Sequence, residues 1–527
     1  MCPILGRCQS CQLVRHLGSP TIVTTWGTKP VDKLHYLHSR NGRVSAGTDH
    51  NLADVSAIVD NIIATAPHRL IIHFHGGLVS KEGGMTIAET LYPVYQSGGY
   101  SLFFVWESGA WEAIRNNAAD ILKEPIFRNL VRKVLEYALG KVGFEESARS
   151  VTGTQVSPSE VKDRVDAWFA NPTGNAPYAD ARPPARTDVR TVATDVDDNT
   201  VQMDLLLDPD FVAAVNTLSQ PLPQARSAVD QSPAQLKTTR IDPAVLDDIA
   251  PSVTRDQRGV ISIFKIAMRV ARVVRQVLLR IEKGRDHGFY ATVVEEVLRA
   301  FYCEAIGKAL LWNQMKKDTG DAFGQDVSCA GSALLSRLKD ALGRGLQLER
   351  IFLIGHSTGG IYISHFLEAV DAMGFDAKVR FDVVLLAPAN THKAFAQTIE
   401  KHAGRIRWLR LFGMQDALER DDGLLGDDWR RAFYPSSLLY LVSGLLEDEV
   451  DEPILGMQRF INQNDVFNAA GGYAACDEVR TWLSEPLDRL VWSNSIAAQG
   501  QCTLARKHGD FDNDASTLQS LTWIVSH

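Results

Sequence analysis

The stretch ERIFLIGHSTGGIYISHF, Glu349 to Phe366, holds a serine framed as Gly-x-Ser-x-Gly by Gly355, Ser357 and Gly359. A serine hydroxyl can attack an acyl carbon if a base removes its proton and a carboxylate holds that base in the useful tautomer. The pentapeptide is a weak signal alone, since a chain of this length carries roughly 0.2 such matches by chance at average glycine and serine usage. Its flanks give it weight. IFLI is a short continuous apolar run of the buried parallel-strand kind, and GIYISHFLEAV places apolar residues at helical spacing. Strand, sharp turn and helix in that order make a nucleophile elbow: small residues at 355 and 359 let the turn close, and the Ser357 hydroxyl projects above the carboxyl edge of the sheet.

The elements that would position such a serine follow from periodicity. TIVTTWG, Thr21 to Gly27, reads as a strand and Ala53 to Ala66 as an amphipathic helix. Strand RLIIHFHGG, helix TIAETLYPVYQSGG and strand SLFFVWESG follow, and alternation of this sort implies a parallel sheet covered on both faces. From about Ala110 to Phe323 the pattern is helical and irregular, with eleven of the 21 prolines between Pro158 and Pro251. Alternation then resumes with helix GSALLSRLKDALG and strands ERIFLIG, RFDVVLLAPA, RIRWLRLFG and SLLYLVSG. The two flanking parts sum to about 290 residues, the size of one large α/β domain.

Bulk composition narrows the class. The chain has 527 residues, 45% of them hydrophobic, enough for a large core. A formal charge of −8 and a pI near 6.0 argue against general nucleic-acid binding. Seven scattered cysteines form no regular disulfide framework, which points to a reducing, cytoplasmic setting. The first twenty residues lack the apolar stretch of a secretory signal, and no run of about 18 apolar residues would span a membrane. Cys2, Cys8, Cys11 and His16 would have to crowd into one very short loop to bind zinc, so an untidy tail is the plainer reading.

With HGG after one strand, GHSTG after another and HGDF after both, the chain resembles the α/β-hydrolase superfamily, its serine esterases and lipases in particular. The resemblance implies an α/β fold with a mostly parallel central sheet flanked by helices and a large, mainly helical insertion. It divides the chain into an N-terminal tail (1–20), a first core part (21–109), a cap insertion (110–328) and a second core part (329–527). It also implies the chain order nucleophile, acid, histidine, which restricts base and acid to residues after Ser357. Of His365, His392, His402, His508 and His527, only His508 follows a suitable acid and sits in a glycine-bearing loop before a final helix. For the acid, the loop after RIRWLRLFG offers Asp416 first, with Glu419, Asp421 and Asp422 close behind and Glu447 or Asp448 later. The oxyanion donors would be the N–H groups of Thr358 and of Gly77 or Leu78, with His73 and His75 shaping that loop. Water would resolve the acyl-enzyme, and no metal or organic cofactor is implied.

The implied activity is hydrolysis of a carboxylic ester, the substrate being a small-molecule or lipid-like acyl ester and the cap governing access. Acyltransferases, amidases and thioesterases use the same elbow, and a catalytically idle interaction protein could keep the fold. Three features stand outside this scheme. DFDND, Asp510 to Asp514, lacks the glycine and glutamate of a calcium loop and reads as a cap for the last helix, through Asp514 or Ser516. Lys265, Arg269, Arg272, Arg275 and Arg280 lie opposite Ile266, Val270, Val273, Val274 and Val277. That is either a cap helix with a solvated basic face or a surface for peripheral contact with an anionic membrane. His287, Glu295 and Glu296 are titratable groups that the elbow mechanism does not use. The oligomeric state is not legible.

Overall fold

The computed structural model describes residues 27–527 except 46, 78, 108–109, 143–156, 180–196, 220–238, 250–254, 307–311, 425, 427–428 and 464. The strand expected at Thr21–Gly27 reaches the described residues only at Gly27. Cys2, Cys8, Cys11, His16 and Leu78 lie outside them.

Seven strands form one wholly parallel sheet: β1 (Tyr36–Arg40), β2 (Arg69–Phe74), β3 (Tyr100–Glu107), β4 (Arg350–His356), β5 (Phe381–Leu386), β6 (Ile406–Gly413) and β7 (Leu490–Trp492). Their order is β1-β3-β2-β4-β5-β6-β7. β2 to β5 are buried along nearly their whole length, as expected of strands covered on both faces. Parallel neighbours need crossovers, and helices supply them: Leu52–Thr65, closed at its start by a capping box between Asn51 and Asp54, links β1 to β2, and Lys81–Tyr95 links β2 to β3. Because all strands run one way, the turns after β2, β4 and β6 emerge at the same sheet edge, where open α/β folds bind ligands.

Between β3 and β4 the described residues contain helices and no strand. The longest, Arg255–Glu282, packs on Pro125–Val142, Asp198–Leu207, Pro209–Ser219 and Phe289–Phe301. Its apolar face, including Ile266, Val270, Val274 and Val277, is buried against those neighbours, while Lys265, Arg272 and Arg275 face solvent. From Ile266 onward the apolar stripe is therefore covered by the protein itself, Phe264 before it is half exposed, and Arg280 leaves the basic face to lie buried. Among the described residues no helix is long and apolar enough to cross a membrane.

Two elements differ from expectation. SLLYLVSG is not a strand: Leu438–Leu441 is a helical turn, begun by Ser437 accepting the Tyr440 N–H at 3.3 Å, and it continues as a wider turn through Val442–Leu446. Every residue of 438–446 is buried, and a short apolar run buried all round carries no period that separates strand from helix. The strand that closes the sheet is LVW at 490–492, too short to show any pattern. β1, YLHSR, was equally hidden, because its buried His38 and Ser39 break the apolar signal.

The elbow allows no side chain at its glycines. A Cβ on Gly359 would stand 2.2 Å from the Phe74 carbonyl oxygen of β2, and one on Gly355 would stand 2.6 Å from the Gly359 carbonyl. Gly359→Ala is expected to destabilise the protein by about 1–3 kcal/mol in denaturant titrations. Gly140→Ala, on an exposed helical position with open space around it, should be neutral or stabilising by up to about 1 kcal/mol.

Candidate active site

β4 delivers Ser357 into a strained turn. Its φ is +54°, a left-handed conformation that costs a non-glycine residue about 1–3 kcal/mol and that clusters at functional positions. Three backbone hydrogen bonds hold it there. The Ser357 N–H donates to the Leu386 carbonyl at 2.8 Å, and the Ser357 carbonyl accepts from Gly360 and Ala389, each at 3.0 Å. Helix Gly359–Ala372 starts at once, and the serine is 3% exposed.

The HGG loop after β2 lies against this turn. A Cβ on Gly76 would stand 3.3 Å from the Ser357 Cβ. His75 braces the loop with both ring nitrogens: Nδ1 donates to the Gly76 carbonyl at 2.7 Å, and Nε2 accepts the Trp106 N–H at 3.1 Å. Burial, opposed by the Gly76 hydrogen bond, pulls the His75 pKa down to about 4, so the ring is neutral, as a nitrogen accepting an N–H requires. Gly77 and Thr358 meet directly, the Gly77 N–H donating to Thr358 Oγ1 at 2.7 Å. Both expected oxyanion donors therefore belong to residues at the serine, but one is engaged by a hydroxyl that must rotate away before an oxyanion can take it. Met315, on helix Asn313–Asp321 of the insertion, packs here too, its Sδ 3.0 Å from where a Gly77 Cβ would be.

His508 arrives on a short turn, His508–Asp510, fastened by Asp510 Oδ2 accepting the N–H groups of Arg506 and Lys507, each at 2.9 Å. The following helix, Ala515–Ser526, is capped by Asp514, which accepts the Thr517 N–H at 2.8 Å. The His508 ring lies 5.2 Å from the ring of His356, the residue before Ser357. It is 8% exposed, and neither ring nitrogen has a hydrogen-bond partner. Ser357 Oγ and Nε2 are thus not bonded to each other in this conformation. Burial, helped by the charge of His356, holds the His508 pKa well below the usual histidine range. A buried donor or acceptor left unpaired costs about 1–3 kcal/mol, and His508 carries two on one ring, as His392 also does. A cavity of about 330 Å³ opens beside it, lined by Leu424, Leu438, Asp422, Lys507 and Gly509 among others.

The carboxylates after β6 separate sharply. Asp416, the first expectation for the acid, is not on His508: it opens the helical turn Asp416–Glu419, and its Oδ1 accepts the Tyr440 hydroxyl at 2.5 Å. Tyr440 belongs to the segment expected to be a strand, and its helical course brings the phenol to Asp416. Asp421 pairs with Arg431, and Glu447 accepts from Trp312 Nε1 at 2.7 Å and Lys316 Nζ at 2.8 Å. Glu419 is fully buried. Burial raises its pKa well above the carboxylate range against the Ser437 hydrogen bond that lowers it, and the neighbouring Asp422 and Asp416 raise it further. Asp422 alone of this set bonds His508, its Oδ2 accepting the His508 backbone N–H at 2.8 Å.

A second polar centre joins the insertion to the core. Arg280 reaches Glu295 at 2.5 Å, Glu296 at 3.0 Å and Asp451 at 2.5 Å, and His287 Nδ1 lies 2.8 Å from Glu295. Tyr434 also donates to Glu295. Burial disfavours the Glu295 charge, but His287 and Arg280 outweigh it and hold the pKa at about 2. His287, Glu295 and Asp451 lie close enough to share a metal ion. Arg280, however, already places a guanidinium nitrogen on both carboxylates, where a cation would stand, and Arg285 adds a second positive charge at 3.2 Å from Asp451. The set is suited to fastening helices together.

No protein-family model, curated protein or solved structure matches this chain.

Arg280→Met should leave three buried carboxylates short of a cation and lower unfolding free energy by about 3–5 kcal/mol in chemical denaturation. Arg275→Met, whose half-exposed side chain stands 3.9 Å from Asp198, should change it by no more than about 0.5 kcal/mol.

Proposed function

We propose that the protein is a serine hydrolase that cleaves a carboxylic ester through an acyl-enzyme. The observation that carries this reading is the pairing of a serine held in a left-handed turn at a strand end with a buried histidine, both of its nitrogens unpartnered, whose ring lies tilted against that of the residue before the serine. Ser357 Oγ attacks the ester carbon as His508 takes its proton. His508 then gives the proton to the departing alcohol, and a water activated by the same ring releases the acid. The N–H groups of Thr358 and Gly77 receive the oxyanion once the Thr358 hydroxyl has turned aside. Asp422 is the acid of this scheme, in place of Asp416, because it already accepts the His508 backbone N–H, while Asp416 is committed to Tyr440; to serve, it must also meet the ring Nδ1, which has no partner here. A turn of the His508 ring must precede the first step, and catalytic hydrogen bonds commonly tighten only when substrate binds.

Helix Asn313–Asp321, through Met315 beside Gly77, gives the insertion a place over the oxyanion side of the site. Contact with an anionic membrane would have to rely on the exposed Lys265, Arg272 and Arg275 with the half-exposed Phe264 beside them. The missing bond between Ser357 and His508 favours one rival, an idle hydrolase fold that serves as a binding protein.

A fluorophosphonate probe separates the two readings. It should label the wild type and not Ser357→Ala, while His508→Ala should react at least about 100-fold more slowly. A folded wild type that does not react, or a Ser357→Ala that does, would dismiss the proposal. Asp422→Asn should slow ester turnover by about 100-fold or more with Asp416→Asn within a few-fold of wild type; the reverse order would return the acid to Asp416. The base must be neutral, and burial disfavours its charged form. Activity should therefore persist as pH falls through 6.5 and decline only well below it, in a kcat/KM profile.

A further inference from the structure

We infer that His356, inside the elbow itself, is a positioning residue that fixes His508 through its backbone carbonyl and is oriented in turn by Asp512. The role assigned to His508 rests on the hydrolase reading; the geometry does not. His356 Nε2 lies 2.9 Å from the His508 carbonyl oxygen, which can only accept, so this nitrogen carries a proton and donates. On the other side, His356 Nδ1 stands 3.5 Å from Asp512 Oδ2. Each ring nitrogen thus faces an oxygen acceptor. Its plane is inclined 34° to that of His508, with centroids 5.2 Å apart, and Phe511 flanks it at 6.3 Å.

The consequence is a base whose backbone is pinned at both ends. The His508 N–H is held by Asp422, from the loop after β6, and its carbonyl is held by the residue that precedes the nucleophile. Elbow and histidine loop cannot drift apart without breaking one of these bonds. An apolar residue would fill position 356 without desolvating an imidazole, yet a histidine sits there at 5% exposure with Asp512 at 7%. The titratable groups facing His356 are His508, Asp512, His73 and His75. Burial keeps the last two neutral, which leaves Asp512 as the counter-charge. The charge that His356 carries when protonated lowers the pKa of His508 beside it, after the larger effect of burial.

The test compares His356→Leu, which removes the donor, with His356→Gln, whose amide can still donate, and with Asp512→Asn. Turnover of a short-chain nitrophenyl ester by His356→Leu should show kcat reduced about 10- to 100-fold with KM little changed. His356→Gln should stay within about five-fold, and Asp512→Asn should fall between them. Loss of the positive charge raises the His508 pKa, so the acid limb of the rate profile should move to higher pH in both His356 variants. Histidine-selective nitrogen NMR reads the positioning without turnover. The His508 ring signals should broaden or split in His356→Leu and persist in His356→Gln. Equal losses in Leu and Gln, or wild-type rates and unchanged His508 signals in His356→Leu, would overturn the inference. If the wild type fails to label at Ser357 while the NMR changes appear, the hydrolase reading falls and the positioning stands.

Discussion

The close crossing of the Ser357 turn over the end of β2 is the constraint on which the rest of the site depends. With the Phe74 carbonyl occupying the place of any Gly359 side chain, the helix after β4 must start hard against β2. That proximity sets Gly76 beside the serine and Gly77 against Thr358. The left-handed backbone at Ser357 is the cost of the geometry, offset by hydrogen bonds to β5 and the turn beyond it. Everything chemical at this edge of the sheet follows from a turn with no spare volume.

Two kinds of polar burial lie above that edge, and they differ in kind. Around Arg280 three carboxylates gather on one guanidinium with His287 and Tyr434 filling in, which locks the insertion to the 434–451 segment, while Arg280 Nε, His287 Nε2 and Asp451 Oδ2 are buried without a hydrogen-bond partner. Such networks confer fixed geometry more than net stability. Around His508 the side-chain valences are open while the backbone is fully tied. A ring whose backbone is held while its nitrogens are unbonded is what the proposed proton transfer would need.

Much of this was legible in the residues and some was not, for physical reasons. Long buried strands such as RLIIHF and FDVVLL announce themselves, as does an elbow helix whose apolar positions recur at 3.6. HGG could be read as a loop meeting the serine and HGDF as one reaching the same edge, where it meets His356, because parallel strands deliver their ends to one side. The acid could not be chosen. Asp416, Glu419, Asp421 and Asp422 span less than two helical turns, and which one faces His508 depends on how Asp416–Glu419 winds and on where Tyr440 falls. Tyr440 in turn lies in an apolar run whose conformation is set by burial on every side. LVW was too short to register, and Arg280 read as one more member of a basic face until three carboxylates drew it inward. The His356–Asp512 pair joins residues 156 positions apart, beyond any local signal.

The most direct test of the account is a crystal structure of the protein after treatment with a fluorophosphonate. The expected result is a phosphorus atom bonded to Ser357 Oγ, its oxygen accepting from the Thr358 and Gly77 N–H groups and His508 Nε2 turned to within hydrogen-bond reach. An unmodified Ser357, an adduct on another residue, or a His508 ring still without a partner beside a modified serine would contradict it.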